Sequence, residues 1–139
     1  MGIGTAIMTC FEKFLIFQGR GRRSEFWWFY LFSMLVALLA IPLEMLIETK
    51  MISTGIGVAF LLPTLAAGTR RLHDTGRPGY YLAIPLLAIP FYFLGSAIGG
   101  LALLLAMALL ILLLCLPGHL GNNRYGPDPR LLTDSQVFE

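Results

Sequence analysis

An all-α membrane protein, a bundle of four transmembrane helices preceded by a short N-terminal interfacial amphipathic helix, is the fold class this sequence predicts. Three observations predict it. Hydrophobic residues make up 57% of the 139 and charged residues only 13%, where a soluble domain averages about 25% charged. Apolar stretches recur at membrane length, about 20 residues for a 30 Å hydrocarbon core. The polar residues gather into three islands between those stretches: Gly19–Trp28, Thr69–Tyr81 and Gly118–Pro129. An arginine at the bilayer centre costs roughly 2.5–3.5 kcal/mol, so the islands belong at a membrane surface.

The elements follow in order. Ile7, Phe11, Phe14 and Leu15 fall at helical spacing with Thr9, Glu12, Lys13 and Gln18 toward the other side; residues 5–17 read as an amphipathic helix, either in the interface or packed on the bundle. This first segment, residues 1–18, lacks the basic start and small-residue cleavage pattern of a signal peptide. Ser24 is placed to cap a helix starting near Glu25. The first span, about 26–48, opens on the aromatic run Phe26–Tyr30, read as a belt at headgroup depth. It closes on Glu44, Glu48 and Lys50, read as solvated end groups. A second span covers 51–68, with Pro63 as a site for a kink, and its helix continues to Asp74 before a left-handed Gly76 cap. The third span, 80–95, is short and carries Pro85 and Pro90, so a kinked or broken helix is expected. An uncharged hairpin over 95–100 leads to the fourth span, 98–116, and a polar tail fills 118–139. The bundle proper is thus 19–117.

Nine of the ten basic residues lie on one side of this path, with Lys50 alone on the other. The positive-inside rule then makes both termini cytoplasmic and brings the three islands together on one face. In the central island, Arg70, His73, Asp74 and Arg77 share a helix face, and Asp74 can pair with Arg70 or Arg77. Candidate binding residues are Arg22, Arg23, Arg70, Arg71, His73, Asp74, Arg77, Asn123, Arg124 and Tyr125. His73 suits a proton carrier, a hydrogen-bond donor or an anion ligand; the same cluster would equally serve to anchor the helix end and tie the loops together. Cys10 and Cys115 show no metal spacing and no reason to pair in a disulfide.

Three ordered motifs, Gly19-Arg20…Arg23-Ser24-Glu25-Phe26-Trp27, Arg70-Arg71-Leu72-His73-Asp74-Thr75-Gly76-Arg77 and Asn123-Arg124-Tyr125-Gly126-Pro127-Asp128-Pro129, resemble the domain-of-unknown-function 805 family of small bacterial inner-membrane proteins over roughly residues 9–130. The chain departs from that pattern at Pro78, where a small polar residue is frequent, and at Tyr80-Tyr81, where Trp is. The resemblance implies the bacterial inner membrane and a few-helix bundle, and it brings no reaction.

Three functions from different classes compete. A structural or regulatory membrane subunit, its cytoplasmic Arg/His/Asp/Asn cluster docking a homo-oligomeric or membrane-protein partner, needs the fewest assumptions. The alternative is binding or transport of an anionic lipid headgroup or small phosphorylated molecule at that cluster, although no acid or base sits mid-span to couple ions. An enzyme is disfavoured: no nucleophile motif, metal set or phosphate loop is present, and adjacent His73 and Asp74 point about 100° apart. Membrane lipids are expected partners, a net charge of +2 is too small to suggest nucleic acid, and nothing calls for a cofactor.

Overall fold

The computed structural model describes residues 2–49 and 51–131; Met1, Lys50 and residues 132–139 of the tail, to which the sequence reading extends, lie outside the described residues. Within them the order is α1 (Ile3–Glu12), α2 (Arg23–Ile47), α3 (Met51–Asp74), a 3₁₀ helix (Gly79–Leu94) and α4 (Ser96–Cys115). Among the described residues, α2, α3 and α4 are long and apolar enough to cross a membrane. α2 packs against α3, α4 runs along the 3₁₀ helix, and α1 lies across α2 and α3.

α1 is shorter than the sequence suggests and buries a different face. Its packed residues are Ala6 and Cys10, which allow close approach to α2, while Phe11 reaches edge-on to Phe29 and Phe60 with centroids 5.4 and 5.6 Å away. Phe14 and Leu15 lie beyond the helix end and are exposed. The helix stops at Glu12 because the chain turns there and Arg70 takes the carbonyls of Lys13 and Ile16, at 2.9 and 2.6 Å. Both carbonyls belong to the turn that follows the helix, where the Ile16 N–H also returns to Lys13 O at 3.0 Å.

α2 begins at Arg23 with Arg22 as its N-cap and no side-chain cap, so Ser24 does not cap it. The aromatic run divides by helical period rather than forming one belt. Phe26 and Phe29 turn into the core, and Trp28 and Tyr30 stay outside. At the far end Glu44 is not simply solvated: its Oε1 accepts the Ser53 N–H at 2.6 Å, capping the start of α3 with a charge the dipole favours. α3 runs through the buried Pro63 and ends as expected, with Gly76 at φ 77° and the Arg77 N–H returning to the Leu72 carbonyl at 3.0 Å.

The segment expected to kink or break is not broken. Gly79–Leu94 is a continuous 3₁₀ helix of 16 residues. In an i→i+3 winding the i−4 carbonyl is not the acceptor, so Pro85 and Pro90 remove donors without interrupting the run. At about 2.0 Å per residue it is about 32 Å long; the same residues in an α-helix would reach about 24 Å. Gly95 alone links it to α4, so the expected hairpin over 95–100 is mostly the first turn of that helix.

Polarity is arranged inside out. Arg71 is 0% exposed while Leu46 is 80% exposed, the distribution expected of an integral membrane protein.

Candidate functional site

At one end of the bundle the three polar islands form a single lattice of hydrogen bonds. Asp74, the last residue of α3, is its centre. Its Oδ1 takes Arg20 at 2.9 Å and its Oδ2 takes Arg71 at 2.7 Å. Arg20 comes from the loop before α2 and also donates to the carbonyls of Gly121 and His119, each at 2.5 Å. Arg71 donates to Leu114 O at 3.0 Å and to Leu116 O. It thereby satisfies carbonyls that the end of α4 leaves without intrahelical partners. One guanidinium thus ties α3 to α4, and another ties the α1–α2 loop to the tail.

A second ion pair sits one turn earlier. Arg70 reaches Glu25 of α2 at 2.7 Å and holds the α1 exit through Lys13 and Ile16. Cys10 lies beside this pair, and burial, assisted by the Glu25 charge, pushes its thiol up to about 12. That thiol is neutral and unreactive at any ordinary pH.

The tail loop lies directly on the end of α3. Tyr125 stacks on His73 with centroids 3.9 Å apart and planes 4° off parallel, and the Arg124 guanidinium lies over the Tyr125 ring, 4.7 Å from its centroid. Asn123 Nδ2 donates to His73 O at 2.9 Å, and Arg124 to Gly76 O at 3.2 Å. His73 Nδ1–H donates to Gly19 O at 3.1 Å, which fixes where the ring's proton lies. Asp128 closes the tail on itself. Its carboxylate is held below the usual range chiefly by the Arg130 backbone N–H at 3.0 Å, with the Gly121 N–H and the Arg130 guanidinium assisting.

Gly118 shows how tightly the tail is seated. A Cβ there would overlap the Asp74 carboxylate, and the backbone cannot retreat because the next residue's N–H, on His119, donates to Asp74 O at 2.7 Å. Gly118→Ala is expected to lower stability by about 1–3 kcal/mol, the usual range for overpacking, read by thermal unfolding in detergent. Gly57→Ala on α3, with open space at its Cβ, should cost nothing; equal melting temperatures for the two variants would refute this account of the seat.

The sequence-predicted residues are therefore gathered, but not all as expected. Arg70, Arg71, His73, Asp74, Asn123, Arg124 and Tyr125 share the lattice. Asp74 pairs with neither Arg70 nor Arg77: helical twist aims Arg70 at α2, where Glu25 stands, and leaves Asp74 to Arg71 and the incoming Arg20. Arg77 makes no side-chain hydrogen bond or ion pair among the described residues. Arg22 donates to Pro129 O at 3.0 and 2.6 Å. Arg23 is exposed and lines a cleft of about 450 Å³ with Arg22, Ser24, Asp74, Pro117, Gly118, Pro129 and Arg130. Arg20, Glu25, Gly118, Asp128 and Arg130 carry much of the geometry yet were not among the candidates. The signal for Glu25 and Asp128 was charge balance, since they are the acids available to the crowded arginines. Among the described residues no group of three His, Cys, Asp or Glu side chains could hold a metal.

Comparison with known proteins agrees with the three-motif pattern. Inner membrane protein YhaI of Escherichia coli (strain K12) is 34% identical over 125 residues, covering 88% of this chain and 93% of YhaI. Inner membrane protein YhaH of the same strain is 32% identical over 126 residues, covering 86% and 92%. No solved structure matches the chain. The family model described as "Protein of unknown function (DUF805)" matches residues 14–127, a stretch that holds Arg20, Glu25, Arg70, Arg71, Asp74 and Gly118 together, and the chain belongs to that family.

Proposed function

We propose that this chain is a four-span protein of the bacterial inner membrane that acts as a structural or regulatory membrane subunit, its cytoplasmic face held rigid by the arginine lattice. One observation carries the reading: the lattice is satisfied from within. Arg20, Arg70 and Arg71 each end on protein acceptors, and among the described residues no buried side-chain nitrogen or oxygen lacks a partner. A site built to receive an anion would hold donors in reserve; this one spends them on carbonyls and carboxylates of its own chain.

Four crossings are supported by length and by position. At about 32 Å the 3₁₀ helix is long enough for a 30 Å core, and it runs back along α4. The names of YhaI and YhaH support the inner membrane, and the basic islands support cytoplasmic termini. α1, whose Met8 and Phe11 remain exposed, is placed in the cytoplasmic interface. The rigid face is a fixed polar surface for a homo-oligomeric or membrane-protein partner.

Two measurements test this. Single cysteines at exposed Asn122 and Ser96, in a Cys115→Ser background, should label from the cytoplasmic and periplasmic sides respectively; buried Cys10 stays silent. Periplasmic labelling at position 122 would overturn the topology. Inorganic phosphate should leave the melting temperature unchanged. A phosphate-dependent rise that disappears in Arg70→Ala would make the lattice an anion site, the alternative function, and end the structural reading.

A further inference from the structure

The basic cleft does not stand alone. On α2, Arg23 and Ser24 line it, and one turn further along the same helix Phe26, Trp27 and Tyr30 line an apolar groove of about 200 Å³. On α4, Met107, Leu110, Ile111 and Leu114 line the groove, and three residues past Leu114 the chain reaches Pro117 and Gly118 at the cleft. Residues three and four apart stack on one helix face, so along α2 the groove begins one turn from the cleft, although no residue lines both.

Charge decides what the head receives. The cleft is lined by three guanidinium groups, Arg22, Arg23 and Arg130, against one carboxylate, Asp74, which Arg20 and Arg71 already engage. Arg23 is the exposed cation at the mouth and makes no hydrogen bond or ion pair among the described residues. Arg130, 48% exposed at its side chain and paired with Asp128, lines the same cleft. An excess of guanidinium one turn from an apolar groove matches an anionic phosphodiester carrying an acyl chain.

We infer that cleft and groove act together as the head and stem of one site for an anionic phospholipid, its phosphate at Arg23 and Arg130 and one acyl chain in the groove bounded by Trp27, Leu82 and Ile111. The inference rests on the membrane placement proposed above, because only then does the groove lie at acyl depth; cysteine labelling tests that placement separately, so the two can fail independently. The lattice and the lipid site are adjacent but distinct. Asp74 is structural on one side and forms the cleft floor on the other.

The test is native mass spectrometry of the intact protein in detergent, with added phosphatidylglycerol or phosphatidylcholine. Wild type is expected to retain phosphatidylglycerol at least about tenfold more than phosphatidylcholine, on the scale of a charge-assisted hydrogen bond. Arg23→Gln should remove most of that preference, and Arg23→Lys should restore part of it. Ile111→Trp, at an exposed position, should fill the groove and lower retention of both lipids. Lys13→Gln, an exposed cation that lines neither the cleft nor the groove, should change nothing. Equal retention of the two lipids by wild type would overturn the proposal. So would competition by millimolar inorganic phosphate with no effect of Ile111→Trp, which would make the cleft a site for a free anion. Loss of a dimer peak rather than of lipid in Ile111→Trp would give the groove to a second copy of the chain, with the same consequence.

Discussion

Replacing Asp74 with alanine is expected to lower stability by about 3–5 kcal/mol, the range for removing one partner of a buried ion pair. The carboxylate holds two arginines whose side chains are 1% and 0% exposed, so its removal leaves two buried cations without their counter-charge. Asp74→Asn should recover part of the loss by keeping an acceptor. The pairing itself is tested by double-mutant cycles. Asp74→Ala and Arg20→Ala share an interaction, so their losses should fall well short of additive. Arg70 has its own partner in Glu25, so its coupling to Asp74 should be smaller. Thermal unfolding in lipid nanodiscs measures the single and double variants of both cycles, and a stronger coupling to Arg70 than to Arg20 would refute the geometry.

Arg71 ranks next. Arg71→Met keeps most of the volume but strips donors from Leu114 O, Leu116 O and Asp74, and an expected loss of about 2–3 kcal/mol follows from leaving buried acceptors without partners. Arg71→Lys should not rescue it. A guanidinium presents its donors as a planar fork that spans a carboxylate and two carbonyls, whereas an ammonium is a compact point charge on a flexible stem. Hydrogen exchange gives the sharper readout: amides in the last turn of α4 should lose protection in both variants, while those of α2 keep theirs. Full protection of α4 in Arg71→Lys would show that the fork is not what holds the helix end.

The parts of this molecule that were legible in its sequence are those written in local chemistry. Apolar length marked α2, α3 and α4; the Thr75-Gly76 signal marked the end of α3; and the one-sided distribution of arginines marked the face where the islands meet. The pairing inside that face was not legible. Spacing along a helix offers Asp74 an arginine four residues before or three after, but its partners are one three residues before and another 54 residues away in the chain. Nothing local says which way each guanidinium leans once α2 and the tail arrive. α1 misled for a different reason. A moment argument assumes that large apolar residues seek the interior, yet here Ala6 and Cys10 pack fully inward while Met8 stays outside and Phe11 is only partly covered, because small residues let helices approach closely. The 3₁₀ helix was misread because proline announces only a lost donor. Whether the chain answers by bending or by winding tighter depends on what it packs against, and here that is α4.

The order in which the chain is made gives the lattice a second meaning. The bond from Arg20 to Gly121 spans 101 residues, and those from Arg22 to Pro129 span 107. Hydrophobic spans form early and from local sequence, but the clasp needs both ends of the chain and so closes last. Until residues past Gly118 leave the ribosome, Arg20, Arg71 and Asp74 stand without the tail that covers them. A nascent chain therefore carries a polar gap at this end of the bundle until the tail arrives to fill it, and a chain interrupted before Gly118 differs from the longer one at that surface.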